Sequence, residues 1–157
     1  MPRQRLRRRI NAAVVGWALA AALLDSTTKW WARHALGAHA QHVWGPLWWR
    51  LTYNSGISFS FNRGGPIATT LVALVIVLVV LAAALRATPG LATVGLGLLL
   101  GGGASNEVDR LVHSPHQVTD FISVGWFPVF NLADAAVTVG FVILVIAMLR
   151  GSPLVQR

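Results

Sequence analysis

The chain has 157 residues, 55% of them hydrophobic and only 11% charged, with a mean hydropathy of +0.60; a soluble domain of this size carries about 25% charged residues, so the composition indicates a membrane protein. Thirteen Lys and Arg against five Asp and Glu give a net charge of +8, but the positive charge is mostly arginine at the ends of apolar segments rather than a basic face on a soluble fold, which argues against nucleic acid as a partner. The absence of cysteine excludes thiol nucleophiles, disulfides and Cys-ligated metals. Any carboxylate chemistry must therefore use Asp25, Glu107, Asp109, Asp120 or Asp134.

Five arginines, Arg3, Arg5, Arg7, Arg8 and Arg9, precede an apolar run from Ile10 to Leu24. Signal peptides share this layout, and Ala18-Leu19-Ala20 resembles a cleavage site. Continuation through Asp25 and Thr28 to Trp30 and Trp31 instead predicts a retained transmembrane helix over about 10–31, with aromatic anchors at the far interface. In the next segment, about 32–65, Trp48, Arg50, Thr52 and Asn54 alternate with Trp49, Leu51 and Tyr53, and Ser58 and Ser60 alternate with Ile57, Phe59 and Phe61. Period two predicts strands, and Asn54-Ser55-Gly56 predicts the turn between them, giving a small amphipathic sheet on the membrane surface. Residues 67–85 are uncharged and long enough to span a hydrocarbon core of about 30 Å. Thr88-Pro89-Gly90 then allows only a tight connection, so a third helix over about 91–104 returns antiparallel, its glycines permitting close helix approach. An outer segment of about 105–132 leads to a fourth helix over about 133–149.

The reading is thus an all-α membrane protein with four transmembrane helices and a small extracytoplasmic β-sheet, a single integral membrane domain over residues 1–157. Arg3, Arg5, Arg7, Arg8, Arg9, Arg86, Arg150 and Arg157 fall at one end of the bundle, whereas Lys29, Arg33, Arg50, Arg63 and Arg110 are spread over the longer segments of the other. The positive-inside rule places both termini in the cytoplasm and all five acids towards the outer face.

An ionisable residue near bilayer depth is expected to be functional, with an identifiable partner. Asp25 and Lys29 are spaced for an i, i+4 ion pair, the alternative being that Lys29 binds a lipid phosphate. Asp109 and Arg110 are either a solvated pair or the source of an arginine reaching across to another group. His113 and His116 could suggest zinc with Asp120, but Pro115 spoils the helical spacing and no metal is expected. Asn131 and Asp134 have the spacing of a capping box at the start of the fourth helix. Asp120 stands alone among apolar residues, drawn to the same region by the turn Gly125-Trp126-Phe127-Pro128. Two carboxylates about 3 Å apart share a proton and can activate water. The residues alone do not select Asp120 and Asp134 over Glu107 and Asp109.

Five ordered blocks carry a resemblance: Asp25-Ser-Thr-Thr-Lys29; Asn54-Ser-Gly56-Ile-Ser-Phe-Ser60; Gly101-Gly-Gly-Ala-Ser-Asn106-Glu-Val-Asp109-Arg110; Val118-Thr-Asp120-Phe121; and Phe130-Asn131-Leu-Ala-Asp134. In order and spacing they resemble the lipoprotein signal peptidases (signal peptidase II), bacterial membrane aspartic proteases of family A8 that cleave prolipoproteins on the amino side of a diacylglyceryl-cysteine. The resemblance implies four transmembrane helices with a β-cradle, and a catalytic pair Asp120 and Asp134. It implies substrate-binding or supporting roles for Asn54, Gly56, Asn106, Arg110 and Asn131, and structural or positioning roles for Asp25, Lys29 and Asp109. It further implies no metal or other cofactor, diacylglyceryl-prolipoprotein substrates, contact with membrane lipids, and a monomer in the bacterial cytoplasmic membrane with its site near the outer face. Ser105 stands where the family usually has glycine, and Glu107 where an apolar residue is usual.

Overall fold

A computed structural model describes residues 11–55, 65–113 and 115–156. Four helices and a four-stranded sheet occur in the order α1 (Ala12–Ala35), β1 (Gln41–Trp44), β2 (Leu47–Asn54), α2 (Gly65–Ala84), α3 (Leu91–Val112), β3 (Val118–Val124), β4 (Phe127–Phe130) and α4 (Leu132–Leu149). At 1.5 Å per residue the helices are roughly 27–36 Å long. By length and composition α2 and α4 are apolar enough to cross a membrane. Their surfaces expose Leu71, Val75, Val79, Phe141, Val142 and Leu149, the inverse of a soluble helix, whose apolar stripe faces inward.

The central helix is α3, which packs against α4, α1 and α2. Its glycines permit this by removing side-chain bulk at each contact. A Cβ on Gly97 would lie 2.6 Å from the Trp17 Cβ, one on Gly102 2.6 Å from the Ala133 carbonyl oxygen, and one on Gly101 would meet the Ala18 carbonyl. Close backbone approach supplies dispersion contacts where lipid offers little hydrophobic driving force between helices. At the other end of the bundle, Arg86 donates to the Gln156 carbonyl at 2.8 Å and the Thr88 N–H to the Leu154 carbonyl at 3.1 Å, tying the chain after α4 to the α2–α3 connection.

The sheet is antiparallel throughout, in the order β1-β2-β3-β4. Gly45 and Gly125 open its two-residue turns with φ of 51° and 53°, a region in which glycine carries no steric penalty. The Gly125 N–H donates to the Pro46 carbonyl at 3.0 Å, clamping the two turns together. The β2–β3 register sets Thr52 opposite Asp120 and Asn54 opposite Val118, so Asn54 and Asp120 are diagonal neighbours.

Several sequence expectations are corrected. The alternation at Trp48–Asn54 is indeed a strand, but β2 pairs with β1 across Gly45-Pro46 and with β3; the expected turn at Asn54-Ser55-Gly56 and the second strand after it run into residues outside the described ones. The third helix does not stop at residue 104 but continues to Val112, because Asn106, Glu107, Asp109 and Arg110 are buried and partnered there, which removes the reason to end it at the first polar residue. The first helix likewise extends to Ala35. The outer segment after α3, expected to be a loop, supplies β3 and β4.

Gly102→Ala is expected to lower thermal stability in detergent by about 1–3 kcal/mol through overpacking against α4. Gly16→Ala, where an added Cβ meets nothing within 4 Å, should leave stability unchanged or raise it. Equal melting temperatures for the two variants would contradict the close-approach role of Gly102.

Candidate active site

Polar side chains from α1, α3, β2, β3 and α4 converge at the sheet end of the bundle. On α1 the i, i+4 spacing puts Asp25 and Lys29 on one face, and on α3 Asn106, Asp109 and Arg110 share a face. Lys29 is 1% exposed. Its ammonium lies 2.6 Å from Asp25 Oδ2 and 3.4 Å from Asp109 Oδ2, and donates to Asn106 Oδ1 at 2.7 Å. Asp25 also accepts from the Ser105 hydroxyl at 2.7 Å and from the Ala133 N–H at 2.8 Å. Asp109 accepts the Thr119 N–H at 2.9 Å and has Arg33 at 3.6 Å. Burying these charges is tolerable only because each is paired and hydrogen-bonded.

Asp120 and Asp134 are held differently. Asp120 Oδ1 accepts from the Asn131 side-chain amide at 2.7 Å and Oδ2 from the Asn54 amide at 3.2 Å. Asp134 Oδ1 accepts from the Asn106 amide at 2.9 Å and Oδ2 from the Asn131 N–H at 3.2 Å. The Asn131 side chain in turn accepts from the Asp134 N–H at 2.9 Å, completing a capping box at the start of α4. The same Asn131 amide also donates to Asn106 Oδ1 at 3.1 Å and to the Thr119 carbonyl at 3.2 Å. Among the described residues, Asp25, Glu107 and Asp109 each have a cationic side chain as an ion-pair partner, whereas Asp120 and Asp134 have only neutral donors.

Burial, and after it the nearby Asp134 carboxylate, pushes the Asp120 pKa up from an ordinary 3.8 to about 7, against the opposing hydrogen bonds from Asn54 and Asn131. Asp120 therefore exchanges its proton near neutrality rather than in the usual carboxylate range. Both aspartates line a pocket of about 380 Å³ with Asn54, Asn106 and Arg110 on its polar wall; Phe127 to Phe130 of β4 and Val137 to Val139 of α4 form the apolar wall. Phe127 and Val139 are 41% and 50% exposed, so the apolar wall continues onto the outer surface. Two carboxylates on one pocket, the charge of one raising the pKa of the other, can divide the roles of acid and base.

The family model for Signal peptidase (SPase) II, Peptidase A8, matches residues 17–150. The chain belongs to the signal peptidase II family. A lipoprotein signal peptidase of Mycolicibacterium smegmatis is 38% identical over 156 residues, covering 96% of this chain and 64% of that one. The lipoprotein signal peptidase of Mycobacterium tuberculosis is 36% identical, covering 96% of this chain and 75% of that one. The chain thus spans just under two thirds of the first relative's length and three quarters of the second's. A solved bacterial membrane enzyme structure has a TM-score of 0.79 at 22% identity, with 89% of each chain covered, and a second has a TM-score of 0.76 at 22% identity over 88% of this chain and 94% of that one. They share this fold of helices and sheet.

Within this signal peptidase II fold, the described polar residues expected around the pair converge, while Gly56 lies outside the described residues. Asn54, Asn106, Arg110, Asp120 and Asp134 line the pocket, and Asn131 lies directly behind the two aspartates with no solvent exposure. Lys29 directs its ammonium to three internal partners, which favours the ion pair over a lipid phosphate. Asp109 is not paired with Arg110 in solvent; it turns inward to Lys29 and Arg33, and Arg110 lies 3.6 Å from Glu107. His113 and His116 contact the Asp109 and Arg110 carbonyls. Sequence reasoning missed Thr119, whose N–H and carbonyl link Asp109 to Asn131, and the β4 wall; the hydrophobic run around Asp120 was the signal for a buried strand.

Because the folded Asp120 pKa exceeds its ordinary value, its contribution to stability is fully present below about pH 4 and is lost as pH rises through about 7. The melting temperature in detergent should fall between pH 4.5 and 7.5, and the fall should be smaller in Asp120→Asn. An identical fall in the variant would show that Asp120 titrates elsewhere.

Proposed function

We propose that the chain is a single-domain, monomeric membrane aspartic endopeptidase that removes signal peptides from diacylglyceryl-modified prolipoproteins, with Asp120 and Asp134 as its catalytic pair. Family membership supports the reaction and the substrate class. The observation that carries the residue assignment is the absence of an ion-pair partner at these two acids among the described residues, while the other three acids have one. A cation beside a carboxylate favours its charged form, whereas neutral amides leave it freer to gain and lose a proton.

In this reading the four helices span the bilayer with both termini in the cytoplasm, and the sheet rests at the outer surface. The scissile bond enters between the polar and apolar walls of the pocket, and the acyl chains follow the exposed apolar side of α4. Asp134, at the positive end of the α4 dipole, takes a proton from water. The resulting hydroxide attacks the scissile carbonyl, while protonated Asp120 donates to the carbonyl oxygen. Collapse of the tetrahedral intermediate returns a proton to the departing amine and releases both peptides. Asn54, Asn106 and Asn131 hold the carboxylates in place, and no covalent intermediate forms.

Purified protein in detergent or lipid should cleave a diacylglyceryl prolipoprotein on the amino side of the modified cysteine. Asp120→Asn and Asp134→Asn should each lower kcat by at least about 100-fold, the contribution of a positioned acid or base. Full activity in either variant would remove that residue from the catalytic pair.

A further inference from the structure

Glu107 is the one buried acid that neither the proposed catalytic pair nor the Lys29 network uses. It is 3% exposed, and both of its carboxylate oxygens lack a hydrogen-bond donor. Its ion-pair partner among the described residues is Arg110, one helical turn further along α3, with NH1 3.6 Å from Oε2. A buried ion pair is a poor source of stability, because desolvation of two charges offsets most of their attraction. An ionisable pair kept in the interior of a membrane protein is instead the signature of a working part.

Arg110 is both the partner of Glu107 and a lining residue of the pocket that holds Asp120 and Asp134. Its planar guanidinium presents several N–H donors in a fixed fork, so a charge held 3.6 Å from one edge biases the direction of the others. We propose that Glu107 is a positioning residue that orients the Arg110 guanidinium on the pocket wall, where it binds backbone carbonyl oxygens of the substrate peptide. The inference rests on the function proposed above. Among the described residues Glu107 does not itself line the pocket, so it acts through the arginine. Its negative charge also offsets that of the guanidinium, so that a cation can stand in the same pocket as Asp120 without fixing it as an anion.

The test compares Glu107→Gln, Glu107→Asp, Arg110→Gln and the double variant Glu107→Gln/Arg110→Gln in steady-state cleavage of a diacylglyceryl prolipoprotein by purified protein. Glu107→Gln should raise KM about fivefold with kcat changed less than about twofold, as loss of an oriented hydrogen bond to substrate predicts. Glu107→Asp, which keeps the charge at a greater distance, should give an intermediate KM, about two- to threefold above wild type. The double variant should be no worse than Arg110→Gln alone, since Glu107 acts only through Arg110. An unchanged KM in Glu107→Gln, or additive effects in the double variant, overturns the proposal. If Glu107→Gln does not fold, Glu107→Asp decides, and a wild-type KM in that variant is equally fatal. A wild-type protein that does not cleave the prolipoprotein overturns both this proposal and the function it rests on, whereas an active wild type with an unmoved KM in the Glu107 variants overturns this one alone.

Discussion

A fully buried ammonium is the constraint around which this end of the molecule is organised. Lys29 would be untenable in an apolar interior without close counter-charges, and its partners come from different elements: Asp25 from its own helix, Asn106 and Asp109 from α3. Those partners recruit others. Asp25 holds the Ala133 N–H at the first turn of α4, and Asp109 holds the Thr119 N–H of β3. Satisfying one charge therefore fixes α1, α3, α4 and the sheet relative to one another. With Arg33 beside Asp109, two acids and two bases balance, and the cluster adds no net charge next to the pocket.

The same arrangement divides the five acids by chemistry. Three have a cationic side chain as an ion-pair partner. Asp120 and Asp134 receive hydrogen bonds from neutral asparagine amides and one backbone N–H, which orient a carboxylate without dictating its proton count. Asn106 stands between the two groups: its oxygen accepts from Lys29 and Asn131, and its amide donates to Asp134. The amide relays geometry from the charged cluster while keeping full charge at a distance.

Much of this was legible in the residues, for reasons that differ from element to element. The uninterrupted apolar character of α2 and α4 announces itself because a bilayer demands it over the whole span. The capping box at Asn131 and Asp134 and the Asp25–Lys29 pair are local, so their spacing reveals them. The continuation of α3 to Val112 was hidden, since polar residues resemble a loop until their partners on α1 are known. β3 was equally hidden: Val118 to Phe121 are all buried, and such a strand lacks the alternation that exposes β2. The proposed choice of Asp120 and Asp134 among five acids depends on which acids meet a cation, a property of tertiary contacts that no spacing records. Only a resemblance to known sequences could supply it in advance.

Asn131 ties this organisation to the docking of α4. Its oxygen begins α4 by capping Asp134, while its nitrogen holds Asp120 and reaches Asn106 and Thr119. Fraying of that first helical turn and separation of the two aspartates are consequently a single event rather than two. With α4 undocked, Asn131 can no longer bridge the two acids. The docking of one helix end and the meeting of two carboxylates thus depend on a single side chain.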